Sequence, residues 1–149
     1  MNNLHTYTHQ LTWTGKPEDN NHKNDRLYQV DIEGKPIING SADKPFFGDS
    51  AKYNPEDMLL AALSSCHMMS FLYVCRKKGL KVLAYSDKPN GELLVNIDGS
   101  GQFEKVGLHP TVVFENELSQ KEELALHVEA GRLCFIANSC NFEIVYEPR

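Results

Sequence analysis

From Met58 to Cys75 the sequence carries no Asp, Glu, Lys or Arg. Helix punctuation brackets that run on both sides. Asn54 is placed to cap an N-terminus, Pro55 suits the first helical position, and Asp57 stands three residues after the cap, where a capping box wants an acceptor. Arg76, Lys77 and Lys78 complement the negative end of a helix dipole, and Gly79 fits a left-handed C-terminal cap. The pattern predicts one helix over residues 54–79, apolar all round and so expected to be buried all round. Its length raises the question of a membrane span. Ser64, Ser65, His67 and Ser70 inside it, and the lack of a flanking topology signal, favour the central helix of a soluble protein with no membrane partner.

A helix without a polar face needs cover on every side, and 149 residues offer few strands to supply it. The simplest solution is a homodimer in which two such helices share one core. The small residues Ala61, Ala62, Ser64 and Ser65 would allow close approach.

The length fits one domain, residues 1–149. A net charge of −5 argues against nucleic acid as a partner. Leu4 to Trp13 is polar and alternating, without the apolar core of a secretory signal, so a cytoplasmic protein with reduced cysteines is expected. Cys66, Cys75, Cys134 and Cys140 show no C-x-x-C spacing, and neither a structural zinc site nor another metal is expected.

Along the chain, Leu4–Trp13, Arg26–Glu33 and Pro36–Asn39 read as strands, with Gly15–Asp25 a polar loop. After the helix, Leu80–Ser86 and Glu92–Ile97 read as a hairpin about Pro89-Asn90-Gly91. One further strand is predicted within Phe103–Glu115, with Pro110 at a bulge or edge. Ser119 and Glu122 form a second capping box, opening a helix to about Leu133 whose apolar side is Leu124, Leu126, Val128 and Leu133. Phe142–Tyr146 closes the order βββ-α-βββ-α-β, an α+β fold with antiparallel sheets.

Several residues could make a thiol site. Cys66 lies mid-helix, where the dipole does little, so a reactive thiolate would need a nearby cation. Arg26 is the only arginine in the N-terminal half, and Glu56 could hold it in a bidentate pair. Cys134, at the end of the second helix, could resolve an oxidised Cys66. Each has a plainer reading: core thiols, a solvated arginine, a glutamate complementing the helix dipole. Cys75 reads as core, Cys140 as a packed thiol or an alternative partner for Cys134. His67 reads as a packed or hydrogen-bonded histidine, with proton donation to a leaving alkoxide as the other reading. Phe46, Phe47, Met68, Met69 and Phe135 could line an apolar mouth for a bulky substrate, or be ordinary core.

The segment Asn54-Pro55-Glu56 with Leu59, Leu60, Ala61, Ala62, Ser64, Ser65, Cys66 and His67 resembles the first signature of the OsmC/Ohr family. Leu133-Cys134-Phe135-Ile136-Ala137-Asn138-Ser139 resembles the second, and Arg26 with Tyr28 and the Gly48-Asp49 loop fit as well. The resemblance implies an intertwined homodimer with sheets wrapped around two central helices. It also implies a cytoplasmic peroxidase that reduces organic hydroperoxides without metal or organic cofactor. Carried over by position, Cys66 would be the peroxidatic cysteine, Cys134 the resolving cysteine, Arg26 the activating arginine and Glu56 its carboxylate. A lipoyl-type dithiol would be the reductant. Phe135 stands where the hydroperoxide reductases have proline, which places the chain nearer a less characterised branch. Two other classes stay open: a small-molecule binding or redox-sensing module, and a thiol-dependent hydrolase.

Overall fold

The charge-free run folds as the helix that its caps predict. In the computed structural model, which describes residues 3–16 and 22–149, α2 runs from Pro55 to Lys77. Asn54 Oδ1 accepts the Asp57 backbone N–H at 2.7 Å. At the other end Gly79 takes φ 71°, and the Leu80 N–H reaches back to the Cys75 carbonyl at 2.9 Å, closing the helix in a Schellman turn. Ser65 Oγ donates to the Ala61 carbonyl at 2.6 Å, which lets the helix carry a hydroxyl on an apolar surface. By length and mean hydropathy (1.6) α2 is the one helix among the described residues able to cross a membrane.

The chain divides inside α2 into two compact units, Met1–Met58 and Leu59–Arg149. In the first, strands β1 (Gln10–Trp13), β2 (Tyr28–Asp31) and β3 (Ile38–Gly40) form an antiparallel sheet in sequence order. They are shorter than the sequence pattern suggests: Leu4 to His9 lies outside the sheet. A one-turn helix, α1 (His22–Asp25), closes the loop expected at Gly15–Asp25; residues 17–21 of that loop lie outside the described residues. The Trp13 indole N–H donates to the Asp25 carbonyl at 2.8 Å. Gly40 pairs with Tyr28 across the ladder, and its missing side chain leaves room for the tyrosine ring.

The second unit holds two sheets. Strand β4 (Val82–Ser86) pairs antiparallel with β7 (Thr111–Phe114). Strand β5 (Asn90–Val95) pairs antiparallel with β6 (Gly101–Leu108), and β6 pairs in parallel with β8 (Glu143–Tyr146). Three expectations change here. First, the predicted strand over Phe103–Glu115 is two strands in different sheets, β6 and β7. The buried Pro110 between them has no N–H to continue a ladder, and the chain turns the corner there. The order after α2 is therefore ββββ-α-β.

Second, Pro89-Asn90-Gly91 is not a hairpin turn, because β4 and β5 do not pair. Asn90 and Gly91 belong to β5. A side chain at residue 91 would meet Phe103 at 2.6 Å and Leu60 at 3.2 Å, so this glycine serves close packing. The tight turn comes later, at residues 96–100, where Gly99 adopts φ 84° and the Asn96 N–H donates to the Ser100 carbonyl. Third, not every pair is antiparallel. The β6–β8 pair is parallel, and the intervening chain with its helix α3 (Gln120–Leu133) supplies the crossover that parallel pairing demands.

Ser119 caps α3 with the predicted capping box, its hydroxyl accepting the Glu122 N–H while the Glu122 carboxylate accepts the Ser119 N–H at 2.8 Å. The buried face of α3 is Leu126, His127, Ala130 and Gly131. Leu124, Val128 and Leu133, expected inside, are exposed. The face of α2 buried in this unit is Leu63, His67, Phe71, Val74 and Cys75. One core cluster gathers Phe71, Val74, Cys75, Leu126 and Ala130 under β4 and β7; another gathers Leu63, Val106, Leu108 and Cys134 under β6 and β8. The opposite face of α2 is open: Met69 is 63% and Tyr73 57% exposed. Burial on every side is thus not achieved within this unit, because its strands cover a single face of the helix.

Candidate active site

Cys66 sits in the middle of α2 on the margin of the second core cluster, partly exposed. Cys134 is the C-cap of α3 and is fully buried. Cys66 packs against the core cluster that holds Cys134, and the two thiols lie near enough for Cys66 to help raise the pKa of Cys134. Two cysteines 68 positions apart in sequence are thus brought into contact by the packing of α2 against the end of α3.

Cys134 is held in detail. Its backbone N–H donates to the Gly131 carbonyl at 3.3 Å, and its sulfur accepts the Ala137 N–H at 3.4 Å from the one-turn 3-10 helix Ala137–Ser139. Burial, and secondarily the neighbouring Cys66 thiol, pushes the Cys134 thiol up to about 11, so it stays protonated at neutral pH. Cys75 lies in the other core cluster, pushed up to about 11 by burial and secondarily by Glu123, as a core thiol should be. Cys140 donates its S–H to the Ile136 carbonyl at 3.2 Å.

An apolar groove of about 460 Å³ opens beside Cys66, lined by Met69, Ser70, Tyr73, Leu133 and Phe135. Of the residues predicted for an apolar mouth, Met69 and Phe135 are here, and Phe135 is 82% exposed. Phe46 and Phe47 belong to the N-terminal unit, at a one-turn 3-10 helix (Lys44–Phe46) and its cap, and both are exposed. Among the described residues no charged side chain lines the groove.

Arg26 and Glu56 also belong to the N-terminal unit. Arg26 is an exposed turn residue before β2, and Glu56 is half-buried in the first turn of α2. The predicted ion pair between them is not formed within this chain. Glu56 lies instead close enough to Tyr28 to help raise its hydroxyl, behind the larger effect of burial. A solvated arginine loses little by staying unpaired.

His67 is the packed, hydrogen-bonded histidine that its place in the helix suggests. Its Nε2 lies 3.0 Å from His127 Nδ1, and both rings are fully buried. Burial lowers His67 to about 4; burial and then the His67 ring lower His127 to about 3. The Tyr146 ring stacks on His67 with centroids 4.6 Å apart, and Phe71 stacks on His127 at 4.1 Å. Reading the sequence for function missed His127 and Tyr146. The signal was the spacing of His127, Ala130, Gly131 and Cys134, which share one helical face. Among the described residues no group of three His, Cys, Asp or Glu side chains is placed to hold a metal ion.

Residues 48–148 match the family model of the OsmC-like proteins. The chain belongs to the OsmC-like family. A solved relative, an OsmC-like protein of unknown function from Vibrio cholerae, shares 30% identity over 98% of this chain and all of its own, with a TM-score of 0.87. At 21% identity an organic hydroperoxide resistance protein from Elizabethkingia anophelis superposes with a TM-score of 0.74, covering 99% of this chain and 98% of its own. OhrB of Bacillus subtilis, an organic hydroperoxide resistance protein, does so at 15% identity and 0.70, over 96% and 98%. These two share the fold. No curated protein matches this OsmC-like chain.

Proposed function

We propose that this OsmC-like protein is a cysteine-based peroxidase that reduces organic hydroperoxides in the cytoplasm as part of oxidative stress defence. The observation that carries the reading is the partly exposed Cys66 thiol at an apolar groove, packed beside the buried Cys134 thiol. The Cys66 thiolate attacks the distal peroxide oxygen. The O–O bond breaks, the alkoxide leaves and takes a proton as the alcohol, and Cys66 becomes a sulfenic acid. The Cys134 sulfur then attacks the Cys66 sulfur. The S–O bond breaks, the departing hydroxide leaves as water with the Cys134 proton, and a disulfide forms. An external dithiol of lipoyl type returns both cysteines to thiols and is itself oxidised to a disulfide.

The uncharged groove gives Cys66 no cation among its walls. In this reading Arg26 stabilises the Cys66 thiolate and the leaving oxygen, steadied by Glu56, within an intertwined homodimer. Met69 and Phe135 contact the organic part of the substrate, and Phe46 and Phe47 extend that surface. A bulky hydroperoxide is preferred because an apolar groove gains nothing from hydrogen peroxide.

The test is peroxide consumption with dihydrolipoamide as reductant, comparing cumene hydroperoxide with hydrogen peroxide for wild type, Cys66→Ser and Cys134→Ser. Turnover of cumene hydroperoxide lost in Cys66→Ser, with an unresolved sulfenic acid in Cys134→Ser, is expected. A wild type that forms the disulfide but does not turn over would replace the peroxidase by a redox-sensing module, which the cation-free groove would suit.

A further inference from the structure

Nothing in the chemistry above uses the two buried histidines. They are expensive to keep. His67 Nδ1 and His127 Nε2 are buried without a hydrogen-bond partner, in a region flanked by apolar clusters on both sides. Two apolar rings of similar volume would pack there without that penalty. Buried polar contacts that cost stability can be retained because they fix one arrangement among several that apolar packing would tolerate.

The location says which arrangement. His67 follows Cys66 directly on α2. His127 precedes Cys134 by seven residues, two turns back along the same face of α3. Among the described residues, two side-chain contacts between charged or polar groups join α3 to α2 and the residue that follows it. One is the exposed Lys78–Glu129 pair at 2.9 Å, which is in water and holds little. The other is the His67–His127 hydrogen bond. We propose that His67 and His127 are positioning residues for the thiol pair: their hydrogen bond fixes the register of α2 against α3, and so sets the effective concentration of Cys66 and Cys134 for one another.

Apolar contacts are non-directional and allow the helices to slide or roll by fractions of an ångström. A hydrogen bond between two planar rings does not, least of all when the rings are themselves clamped. Tyr146 and Phe71 stack on them at interplanar angles of 18° and 15°. Burial, and secondarily the nearby Cys134 thiol, raises the Tyr146 hydroxyl, so Tyr146 links the clasp to the site. Both imidazoles are neutral at neutral pH, so one ring nitrogen donates and the other accepts.

The inference rests on the thiol pair of the proposed function and not on hydroperoxide turnover, so its test uses no peroxide. The full-length protein is equilibrated in glutathione buffers of graded ratio, and the Cys66–Cys134 disulfide is quantified by alkylation and peptide mass. The effective concentration of the pair follows from the midpoint. His127→Phe keeps a stacked ring but removes the hydrogen bond, and is expected to lower the effective concentration about tenfold, the equivalent of one hydrogen bond. His127→Asn, whose amide replaces Nδ1, is expected to stay within about threefold of wild type. If His127→Phe does not fold, the double variant His67→Phe/His127→Phe, which leaves neither ring facing an unpaired imidazole, carries the same expectation. A folded Phe variant with the wild-type midpoint, an Asn variant as impaired as the Phe variant, or a wild type that forms no such disulfide at any ratio would each overturn the assignment.

Discussion

At the scale of single residues, the histidine pair makes stability depend on pH in a calculable direction. An unfolded histidine titrates near 6.5, while folded His67 and His127 do so at about 4 and about 3. Between those limits the unfolded chain binds protons that the folded chain refuses. The contribution is therefore complete above about pH 6.5 and is lost as pH falls towards 4. From pH 7 to pH 5 each histidine is expected to cost roughly 2 kcal/mol at about 1.4 kcal/mol per pKa unit. Urea midpoints at the two pH values measure it, and His67→Phe/His127→Phe should flatten the dependence. An equally steep loss in that double variant would assign the effect to other groups.

At the scale of elements, the fit of β8 against α3 is decided by Gly131. In an ordinary helix interior Gly to Ala gains about 1 kcal/mol. Here an added methyl would lie 2.6 Å from Tyr146 Cζ and nearer still to its hydroxyl, and the tyrosine cannot swing away without leaving His67. Overpacking of this kind costs about 1–3 kcal/mol and outweighs the propensity gain. Gly131→Ala is expected to lower the melting temperature, and adding Tyr146→Phe to recover part of it. A more stable Gly131→Ala would show that the tyrosine has room to move. The same scale shows what could be read without coordinates. Both long helices were legible because their caps are local: Asn54 with Asp57, and Ser119 with Glu122, bond within one turn. Strand pairing was not. Asn90-Gly91 carries the chemistry of a turn, yet the partner of each strand is set by distant packing, against Leu60 and Phe103 at Gly91 and around Pro110 at the corner. The thiols were recognisable as a pair of motifs. Their histidine support was not, because a histidine on an apolar face looks like any core position.

For the whole molecule, the open face of α2 sets the expectation. Met69, Tyr73 and Phe135 lie exposed beside Cys66, on the face that the strands of the second unit leave uncovered. If two copies share that face, light scattering coupled to size-exclusion chromatography should give twice the 16.8 kDa chain mass at micromolar concentration. Tyr73→Glu should shift it towards one. A wild-type mass of one chain would remove the homodimer and, with it, any contribution of a second copy's Arg26 to the site. The division of the chain inside α2 means that the outcome bears on function as much as on stability, since Arg26 and Glu56 fall in one unit and both thiols in the other.

The parallel pairing of β6 with β8 has a consequence in time. Strand β8 follows both cysteines in sequence, and its Tyr146 reaches back to stack on His67. As the polypeptide emerges from the ribosome, Cys66 and Cys134 are both synthesised before the strand that completes their surroundings. Assembly of the site is thus among the late events of folding, when long-range pairs finally close.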